Sequence, residues 1–355
     1  MTAPPAVSVI VLNLNGRECL SECIDSVLRS RFVDFELILV DNGSTDSSAL
    51  AAKAQYAQDR RVRVIENGVN LGCAGGCNAG IQAARGGILV VLGNDTVVAE
   101  SWLDHVVPLF ASDPGIGAAQ GKLVSYWDPV LLDGTGCFID WHGCPRERGG
   151  AFLKQSAERD SQTTADIEDI FACGLTCMFL RREAVQRAGA FDDDFFVFCE
   201  DLDLSWRIRL AGYRIVLVPD CVVRHKRSQT ARKYSASTLG WHFHKNKMSM
   251  CLKNMGPVSL LKALPALLLL LGVRSLYGLL VLRSTSEAYS PLKGLLWNLR
   301  HLPATLRKRT HIQRSVRRVA EREMALWFAE RCFLHSDSRP VEWPSPAWSA
   351  PGAGQ

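Results

Sequence analysis

The chain has 355 residues, of which 47% are hydrophobic and 22% charged, and its formal net charge is +5. This apolar fraction is ordinary for a globular protein and excludes a disordered or fibrous chain. No run of about eighteen charge-free apolar residues occurs, which excludes a simple multi-span membrane protein. The N-terminus lacks the basic segment and long apolar run of a signal peptide, so we expect a cytoplasmic protein whose twelve cysteines are reduced. Because no CxxC pair occurs, these cysteines are expected to be small buried hydrophobic residues.

The charge is divided unevenly along the chain. Residues 1–225 contain 20 Lys and Arg against 30 Asp and Glu, whereas residues 226–331 contain 20 against 4. Acidic groups suit a metal site, and basic groups suit the phosphates of nucleic acid or lipid. The sequence therefore predicts two regions with different tasks, 1–225 and 226–335. They are followed by a Pro/Ala/Gly/Ser-rich tail, 336–355, that we expect to be disordered.

Strands and helices alternate in the predicted structure of the first region. Nearly continuous apolar runs predict buried strands at 7–12, 35–40, 62–66 and 88–92. Apolar residues at helical spacing predict helices at 17–30, 45–58 and 75–84. The region 120–170 is an expected insertion near an acceptor side, and the later elements are strands at 173–181, 214–219 and 221–225 and helices at 183–188 and 202–211. Short connections between these elements imply a mostly parallel sheet, which binds ligands beyond the carboxyl ends of its strands.

Polar side chains follow three of these predicted strands. They are Asn13 and Asn15, Asp41, and Asn94 with Asp95. Asp41 either accepts hydrogen bonds from a nucleotide base or ribose, or caps the turn by accepting from backbone N–H groups. Asp95 offers an oxygen ligand of the kind that Mg²⁺ or Mn²⁺ prefers.

The densest acidic cluster is FDDDFFVFCEDLDLSW, residues 191–206. Acids among aromatic residues tend to have raised pKa values, which suits a general base. A helix that begins near Asp201 would oppose a large rise in its pKa, because a helix N-terminus favours the charged form. The alternative is an acidic helix N-terminus beside a solvated turn.

A glycine-rich segment, NLGCAGGCNAGI, spans residues 70–81. Such loops before helices can bind phosphates. The segment matches neither GxGxxG nor GxxxxGK[ST], so neither a dinucleotide site nor a Walker site is supported. Its glycines either contact a ligand or permit a tight turn and close helix packing.

Five segments in this order resemble the family 2 glycosyltransferases, and within them the bacterial rhamnosyltransferase-type branch: VSVIVLNLNG, LILVDNGSTDSS, NLGCAGGCNAGI, VVLGNDTVV and FDDDFFVFCEDLDLSWRIRLAGYRIVLVPDCVVRH. The resemblance is strong over residues 7–225 and continues more loosely from WHFHKNK, residues 241–247, into the leucine-rich segment. It implies a GT-A fold, which is Rossmann-like α/β with a mostly parallel sheet. It also implies a nucleotide-diphosphosugar donor, a divalent metal (Mn²⁺ or Mg²⁺) and inversion at the anomeric carbon.

The resemblance also gives roles to individual residues. Asp201 matches the catalytic base, Asp95 the last acid of a DxD-like metal motif, and His225 a histidine that completes the metal shell in some members. Gly93 stands where a full DxD motif has its first acid, which predicts a metal held weakly without substrate phosphates. The residues expected at the nucleotide sugar are Asn13, Asn15, Asp41, Asn70, Asn78 and Asn94, and those expected on the acceptor side are Glu200 and Trp206.

The basic region contains a leucine-rich segment, residues 256–282, which Lys262, Pro265 and Arg274 interrupt. Its longest uncharged part is about half of the ~20 residues needed to span a bilayer. We therefore expect a peripheral or shallowly inserted helix, with the polybasic segment 306–323 on an anionic leaflet. The alternative is an ordinary core or a dimer interface. A nucleic-acid partner is not expected, because the chain has no recognised nucleic-acid module and its front half is acidic.

A membrane location fits an acceptor glycan carried on polyprenyl diphosphate, as in cell-wall or surface-polysaccharide assembly. The expected reaction transfers a sugar, with rhamnose favoured, from a dTDP-sugar, or alternatively a UDP- or GDP-sugar, at the cytoplasmic face. A second hypothesis is a non-catalytic sugar-nucleotide-binding scaffold at the membrane. A third, a sugar-phosphate nucleotidyltransferase, is disfavoured because NLNGRECL is not the glycine-rich basic loop it would have after the first strand.

Overall fold

The computed structural model describes residues 3–149, 166–226 and 235–329. The strands are β1 Val7–Asn13, β2 Phe35–Asp41, β3 Val62–Glu66, β4 Ile88–Gly93, β5 Thr96–Val98, β6 Ile116–Ser125, β7 Leu132–Gly134, β8 Cys137–Asp140, β9 Pro145–Glu147, β10 Glu168–Asp169, β11 Cys177–Arg181, β12 Arg214–His225 and β13 Phe328–Ala329. The helices are α1 Leu20–Leu28, α2 Ser48–Gln55, α3 Gly72–Ala83, α4 Val107–Ser112, α5 Arg182–Ala188, α6 Glu200–Leu210, α7 Ala236–Asn254, α8 Pro257–Leu280, α9 Thr285–Arg300, α10 Leu302–His311 and α11 Glu321–Ala325, with a π-helical turn at Ile312–Val316. The tail predicted to be disordered, 336–355, lies outside the described residues.

A large mixed sheet forms the centre of the protein. Its described strands lie in the order β10-β12-β6-β11-β4-β1-β2-β3, with β5 beside β12 and β7 beside β6. The four strands β3, β2, β1 and β4 are parallel, as predicted, and β6 and β12 form a second parallel pair. Between these two groups β11 runs antiparallel to both of its neighbours. The predicted α/β class is therefore confirmed, and the longest run of adjacent parallel strands is β3-β2-β1-β4.

Strand β12, at the end of the first region, differs from its prediction. The segments predicted as two strands, 214–219 and 221–225, form the single strand β12. Its register against β6 shifts between Val218 and Val222. Pro219 lies inside this shift and has no N–H to donate to a neighbouring strand, so a bulge accommodates it without ending the strand.

The sheet is covered by hydrophobic side chains on both faces. Residues of β1 alternate between two core clusters, with Val9 and Val11 in one and Ile10 in the other. Helix α3 packs closely on the Ile10 face, because a Cβ at Gly80 would lie 2.3 Å from Ile10 Cγ2 and one at Gly76 would lie 2.4 Å from Leu12 Cδ1. At these two glycines, close helix packing is the interpretation that the structure supports.

The C-terminal helices differ in how much of their surface is buried. Helix α7 is buried along much of its length, including Asn246 and Asn254 at 0% exposure. Helix α8 is mostly exposed, and among the described residues it is the one helix long and apolar enough to cross a membrane by length and composition. An ion pair of 3.2 Å between Arg274 and Glu287 ties α8 to α9.

Candidate active site

A cavity of about 560 Å³ opens at the carboxyl ends of β1 and β4. This is the edge at which a parallel sheet is expected to bind its ligand. Six of the residues predicted for the site line the cavity, and these are Asn70, Asn94, Asp95, Glu200, Asp201 and His225. The structure thus brings together side chains that are up to 155 positions apart in the sequence.

Asp201 lies in the first turn of α6, where two backbone N–H groups hold its carboxylate. Its Oδ2 accepts from Leu175 N at 3.0 Å and its Oδ1 from Leu202 N at 2.8 Å. Burial raises the pKa of Asp201, and these hydrogen bonds oppose the rise by stabilising the charged form. Both oxygens are therefore fixed in direction while the carboxylate remains a stronger base than an exposed aspartate.

Glu200 precedes Asp201 and is almost fully buried, with 4% of its surface exposed. Burial and the neighbouring charge of Asp201 raise the pKa of Glu200 to about 8, against opposing hydrogen bonds from the backbone and the Cys73 thiol. Within the described residues Glu200 Oε2 has no hydrogen-bond partner. A carboxyl group with this pKa holds its proton at neutral pH, so the pair presents one acid and one base to the cavity.

The raised pKa of Glu200 predicts how stability depends on pH. The folded-state pKa is higher than the value of about 4.3 for an unfolded glutamate, so the folded protein holds this proton more tightly. The stabilisation is present in full below pH ~4 and is lost as the pH rises through 8. We expect Glu200→Gln to remove this loss of stability at high pH. The thermal midpoint of the variant minus that of the wild type should therefore be larger at pH 8.5 than at pH 5. Glu183→Gln, at an exposed position of α5, is the control, and identical pH dependence of Glu200→Gln and the wild type would contradict the assignment.

His225 reaches Asp95 because the end of β12 pairs with β5. Its Nε2 lies 3.4 Å from Asp95 Oδ1, and its Nδ1 lies 2.5 Å from Asp133 Oδ2. Burial alone would lower the pKa of His225, but the two carboxylates outweigh burial and raise it to about 9. Asp133, on β7, was not identified from the sequence, since it lies in the weakly patterned region 120–170.

The Asp95–His225 pair fits a divalent cation that a substrate helps to hold. Asp133 can accept a hydrogen bond from Nδ1–H of His225, which leaves Nε2 as the ligand nitrogen, an arrangement common for metal-binding histidines. An imidazolium cannot ligate, so binding of a cation would release the Nε2 proton. In the described parts of the chain, no group of three or more His, Cys, Asp or Glu side chains is arranged to hold a metal by itself. The remaining ligands would thus have to come from substrate phosphates and water.

The buried side chain of Asn13 connects the loops behind the cavity. Its Nδ2 lies 3.1 Å from Asp41 Oδ1 and 2.9 Å from Ser48 Oγ, and its Oδ1 accepts from Asn94 Nδ2 at 2.7 Å. Asp41 Oδ2 also accepts from Ser44 N at 3.1 Å. The turn-capping interpretation of Asp41 is therefore observed, and its contact with a nucleotide stays a prediction.

Asn15 and Asn70 hold the two loops that flank this network. Asn15 adopts a left-handed conformation with φ of 49°, and its Oδ1 accepts from Thr45 N at 2.7 Å. Asn70 Oδ1 accepts from Asn42 Nδ2 at 3.1 Å. Asn42 also lines the cavity and was missed, although it directly follows Asp41 at the same strand end.

Two residues predicted for the site have core contacts instead. Asn78 does not line the cavity, because its amide is bonded to Phe191 N and O and to Asp193 Oδ1 at 2.7–3.0 Å. Trp206 is fully buried and packs edge-on against Phe171, with ring centroids 5.6 Å apart. It follows Asp201 by five residues, about 140° around the helix, so it points away from the cavity. Phe243 of α7 and Arg146 and Glu147 of β9 line the cavity and were not identified from the sequence.

Residues 8–187 match the model of glycosyl transferase family 2, and the chain belongs to this family. An N-acetylglucosaminyl-diphospho-decaprenol L-rhamnosyltransferase of Mycobacterium tuberculosis is 30% identical over 232 residues, 59% of this chain and 72% of that protein. The O-antigen biosynthesis protein RfbC of Myxococcus xanthus is 28% identical over 64% of this chain and 18% of that protein. An N-acetylglucosaminyltransferase of Bradyrhizobium diazoefficiens is 28% identical over 67% of this chain and 48% of that protein. The chain thus spans less than half of the length of these last two relatives.

Solved structures of glycosyltransferases share the fold. GalNAc-T7, crystallised with UDP, GalNAc and Mn²⁺, aligns with a TM-score of 0.56 and 18% identity, over 70% of this chain and 48% of that one. S. aureus TarS 1–349 in complex with UDP-GlcNAc aligns with a TM-score of 0.51 and 15% identity, over 87% and 81% of the two chains. The predicted GT-A fold and family are therefore confirmed. Asp201 and His225 lie beyond residue 187, where the family match ends.

Proposed function

We propose that this chain is an inverting, metal-dependent glycosyltransferase that moves a sugar from a nucleoside-diphosphate sugar to a hydroxyl of a lipid-linked glycan. The observation that carries the proposal is one cavity lined by the Glu200–Asp201 pair and by the Asp95–His225 pair. The first pair can take up a proton, and the second can help to bind a diphosphate through a cation. A simple nucleotide-binding scaffold has no need of the first pair.

Asp201 is the proposed general base. It takes the proton of the acceptor hydroxyl as that oxygen bonds to the anomeric carbon, while the bond from this carbon to the leaving diphosphate oxygen breaks on the opposite face. Hydrogen bonds from the backbone N–H groups of Leu175 and Leu202 fix the direction of the carboxylate, which reduces the reorganisation needed for proton transfer. No covalent intermediate with the enzyme is required, so a single displacement inverts the anomeric carbon.

Asp95 and His225 are the residues that would hold Mn²⁺ or Mg²⁺. Bound there, the cation would offset the negative charge that develops on the leaving diphosphate. The composition of the cavity wall supports this role. Besides the protonated Glu200, four acidic side chains line it, and the basic groups are Arg146 and His225. An anionic diphosphate therefore needs further positive charge to enter.

The donor and acceptor classes are proposed from the relatives. One relative is named for L-rhamnose transfer to a diphospho-decaprenol acceptor, and another for O-antigen biosynthesis. These names support rhamnose as the transferred sugar, and a polyprenyl-diphosphate-linked glycan as acceptor in cell-wall or surface-polysaccharide assembly. A dTDP-sugar is the donor that we propose with rhamnose, as the resemblance of the sequence implies. UDP- and GDP-sugars are the alternatives, since solved structures of this fold contain UDP-GlcNAc or GDP-Man.

A thermal-shift panel with dTDP, UDP and GDP, each with and without Mn²⁺, tests the donor site. A nucleotide at about ten times its Kd stabilises by about 1.4 kcal/mol, which is a shift of a few degrees for a domain of this size. We expect a Mn²⁺-dependent shift with one nucleotide, reduced in Asp95→Asn, followed by transfer from the corresponding nucleotide sugar to a polyprenyl-diphosphate-linked GlcNAc. Binding without transfer from any donor would favour the non-catalytic scaffold, and absence of binding would contradict the proposed function.

The proposed partner of the C-terminal helices is the anionic cytoplasmic face of the membrane, bound peripherally or by shallow insertion. Large apolar side chains are exposed on the three successive helices α8, α9 and α10. Those at least 50% exposed are Val258, Leu261, Leu269, Val273, Leu276, Leu279 and Leu280 on α8 and Tyr289, Leu296 and Leu299 on α9. On α10, Leu306 is 46% exposed. Lys262, Arg283, Lys293 and Arg300 are exposed beside them. An apolar face bordered by cations is complementary to an anionic lipid surface, whereas an ordinary core would bury these leucines.

Replacing two leucines on this face tests the membrane partner. Leu269 and Leu276 are 68% and 57% exposed and lie two turns apart on α8. Each buried leucine contributes about 1.5–3 kcal/mol, so we expect Leu269→Glu with Leu276→Glu to reduce co-sedimentation with vesicles containing anionic phospholipid by at least ~10-fold. Leu50→Glu on α2, 67% exposed, is the matched control. Unchanged vesicle binding, or a stable dimer that the double variant dissociates, would contradict this partner.

A further inference from the structure

The segment that leads into the catalytic pair has an unusual backbone. We call residues 194–199 the catalytic turn, because they directly precede Glu200 and Asp201 and four of them line the cavity. Phe198 and Cys199 have φ of 71° and 65°, the left-handed region that residues other than glycine rarely adopt. Two consecutive left-handed residues persist only where their surroundings impose the conformation.

Side chains of α7 contact the catalytic turn at three points. Asn246, with no exposed surface, donates from Nδ2 to Val197 O at 2.8 Å and to Phe198 O at 2.7 Å. Lys245 Nζ donates to Asp194 O at 2.5 Å. The ring of His242 stacks on Phe196, with centroids 5.2 Å apart and planes 23° apart. One helix thus satisfies carbonyl groups at the beginning and at the end of the turn.

The N-terminus of α3 holds the turn from another side. Cys73 N donates to Phe196 O at 2.6 Å. A Cβ at Gly72 would lie 2.3 Å from that same oxygen, and Gly72 itself has φ of 74°. The catalytic turn is therefore held by α3 and by α7. Asn246 donates to the carbonyls on either side of the first left-handed residue, those of Val197 and Phe198.

We propose that Asn246 is a positioning residue for glycosyl transfer. Its amide holds Val197 O and Phe198 O, and so fixes the left-handed pair from which Asp201 faces Leu175 N and the cavity. The expected effect on the transfer rate rests on the proposed function. The expected effect on the backbone of the catalytic turn rests only on the contacts made by α7. Without the amide the turn relaxes and Asp201 loses its alignment. Asp95 lies in the loop between β4 and β5, and His225 ends β12, so these two residues keep theirs.

The test compares two buried asparagines with similar contacts. Asn298 on α9 is 2% exposed and, like Asn246, donates to two carbonyls, Lys245 O at 3.0 Å and Gly294 O at 2.9 Å. Both Asn246→Asp and Asn298→Asp lose this donation and are expected to lower the thermal midpoint. Only Asn246→Asp is expected to lower kcat, by at least ~30-fold, with the donor KM within ~3-fold of wild type. If Asn246→Asp does not fold, Asn246→Ala replaces it, with Asn298→Ala as its control.

A second measurement is independent of activity. Hydrogen exchange followed by mass spectrometry reports the protection of peptides covering residues 195–204. We expect at least ~10-fold faster exchange there in Asn246→Asp than in Asn298→Asp, with equal exchange in β1 and β4. If the wild type transfers no sugar from any donor, the proposed function fails, while the exchange comparison still decides the role of Asn246. Equal losses of kcat, or equal exchange in the catalytic turn, would overturn the inference.

Discussion

Asp201→Asn is expected to reduce kcat by about 10³-fold and to leave donor affinity within a few-fold of wild type. An amide of the same shape cannot take up the proton of the acceptor hydroxyl, and general-base catalysis contributes about 10²–10⁴-fold. The groups proposed to help bind the donor, Asp95 and His225, are other residues of the cavity wall. The substitution therefore separates transfer from binding.

The measurements are the transfer rate at saturating donor and the nucleotide-dependent thermal shift. The amide also places an N–H group opposite Leu175 N or Leu202 N, so a modest loss of stability accompanies the loss of transfer. Asp220→Asn, at an exposed position of β12, is the control for the loss of a carboxylate. Turnover within ten-fold of wild type would remove Asp201 from the role of base, whereas loss of both transfer and nucleotide binding would indicate damage to the whole cavity.

The strands and their polar ends were predictable because the information is local. A strand buried on both faces gives a continuous apolar run in the sequence, and the residue that follows the run lies at the carboxyl end of the strand. Asp41 and Asp95 were located in this way, and Asp41 indeed ends β2. The resemblance to a family added the role of Asp201, whose position in the first turn of α6 the structure supports.

Contacts between distant segments were not predictable from local patterns. His225 meets Asp95 only because β12 pairs with β5, a register that its neighbours in sequence do not encode. Asp133 completes that group from a segment whose short strands have no clear period. Trp206 was expected on the acceptor side, but helix geometry turns it toward Phe171. The role proposed for Asn246 likewise depends on how α7 crosses the catalytic turn.

Lys253 joins the two regions that the charge pattern distinguishes. Its side chain is 2% exposed, forms an ion pair with Asp192, and lies 3.1 Å from Asp203 Oδ1. Asp192 has a second cation, Lys308, at 2.5 Å, and Asp203 has Arg207 at 2.9 Å. The basic C-terminal helices α7 and α10 thus neutralise buried acids just before and within α6. The excess of positive charge in residues 226–331 is therefore partly used inside the protein.

Lys253→Met is expected to destabilise the protein by about 3 kcal/mol, because removing one partner leaves two buried carboxylates with incomplete compensation. Lys308→Met, at a side chain 39% exposed, is expected to cost about 1 kcal/mol or less. Urea unfolding at pH 7 measures both values, and Asp192→Asn combined with Lys253→Met should recover part of the loss.

The same ion pairs set the response to acid. Burial alone would raise the pKa of Asp192, but Lys253 and Lys308 outweigh burial and hold it well below its usual range. The stabilisation from this carboxylate is therefore present above the unfolded pKa of about 3.9 and is lost as the pH falls below it. Lys253→Met removes part of that stabilisation, so its stability should fall less steeply below pH 4 than that of the wild type. A cost at pH 7 no larger than that of Lys308→Met, with an unchanged acid slope, would show that Lys253 does not hold the two regions together.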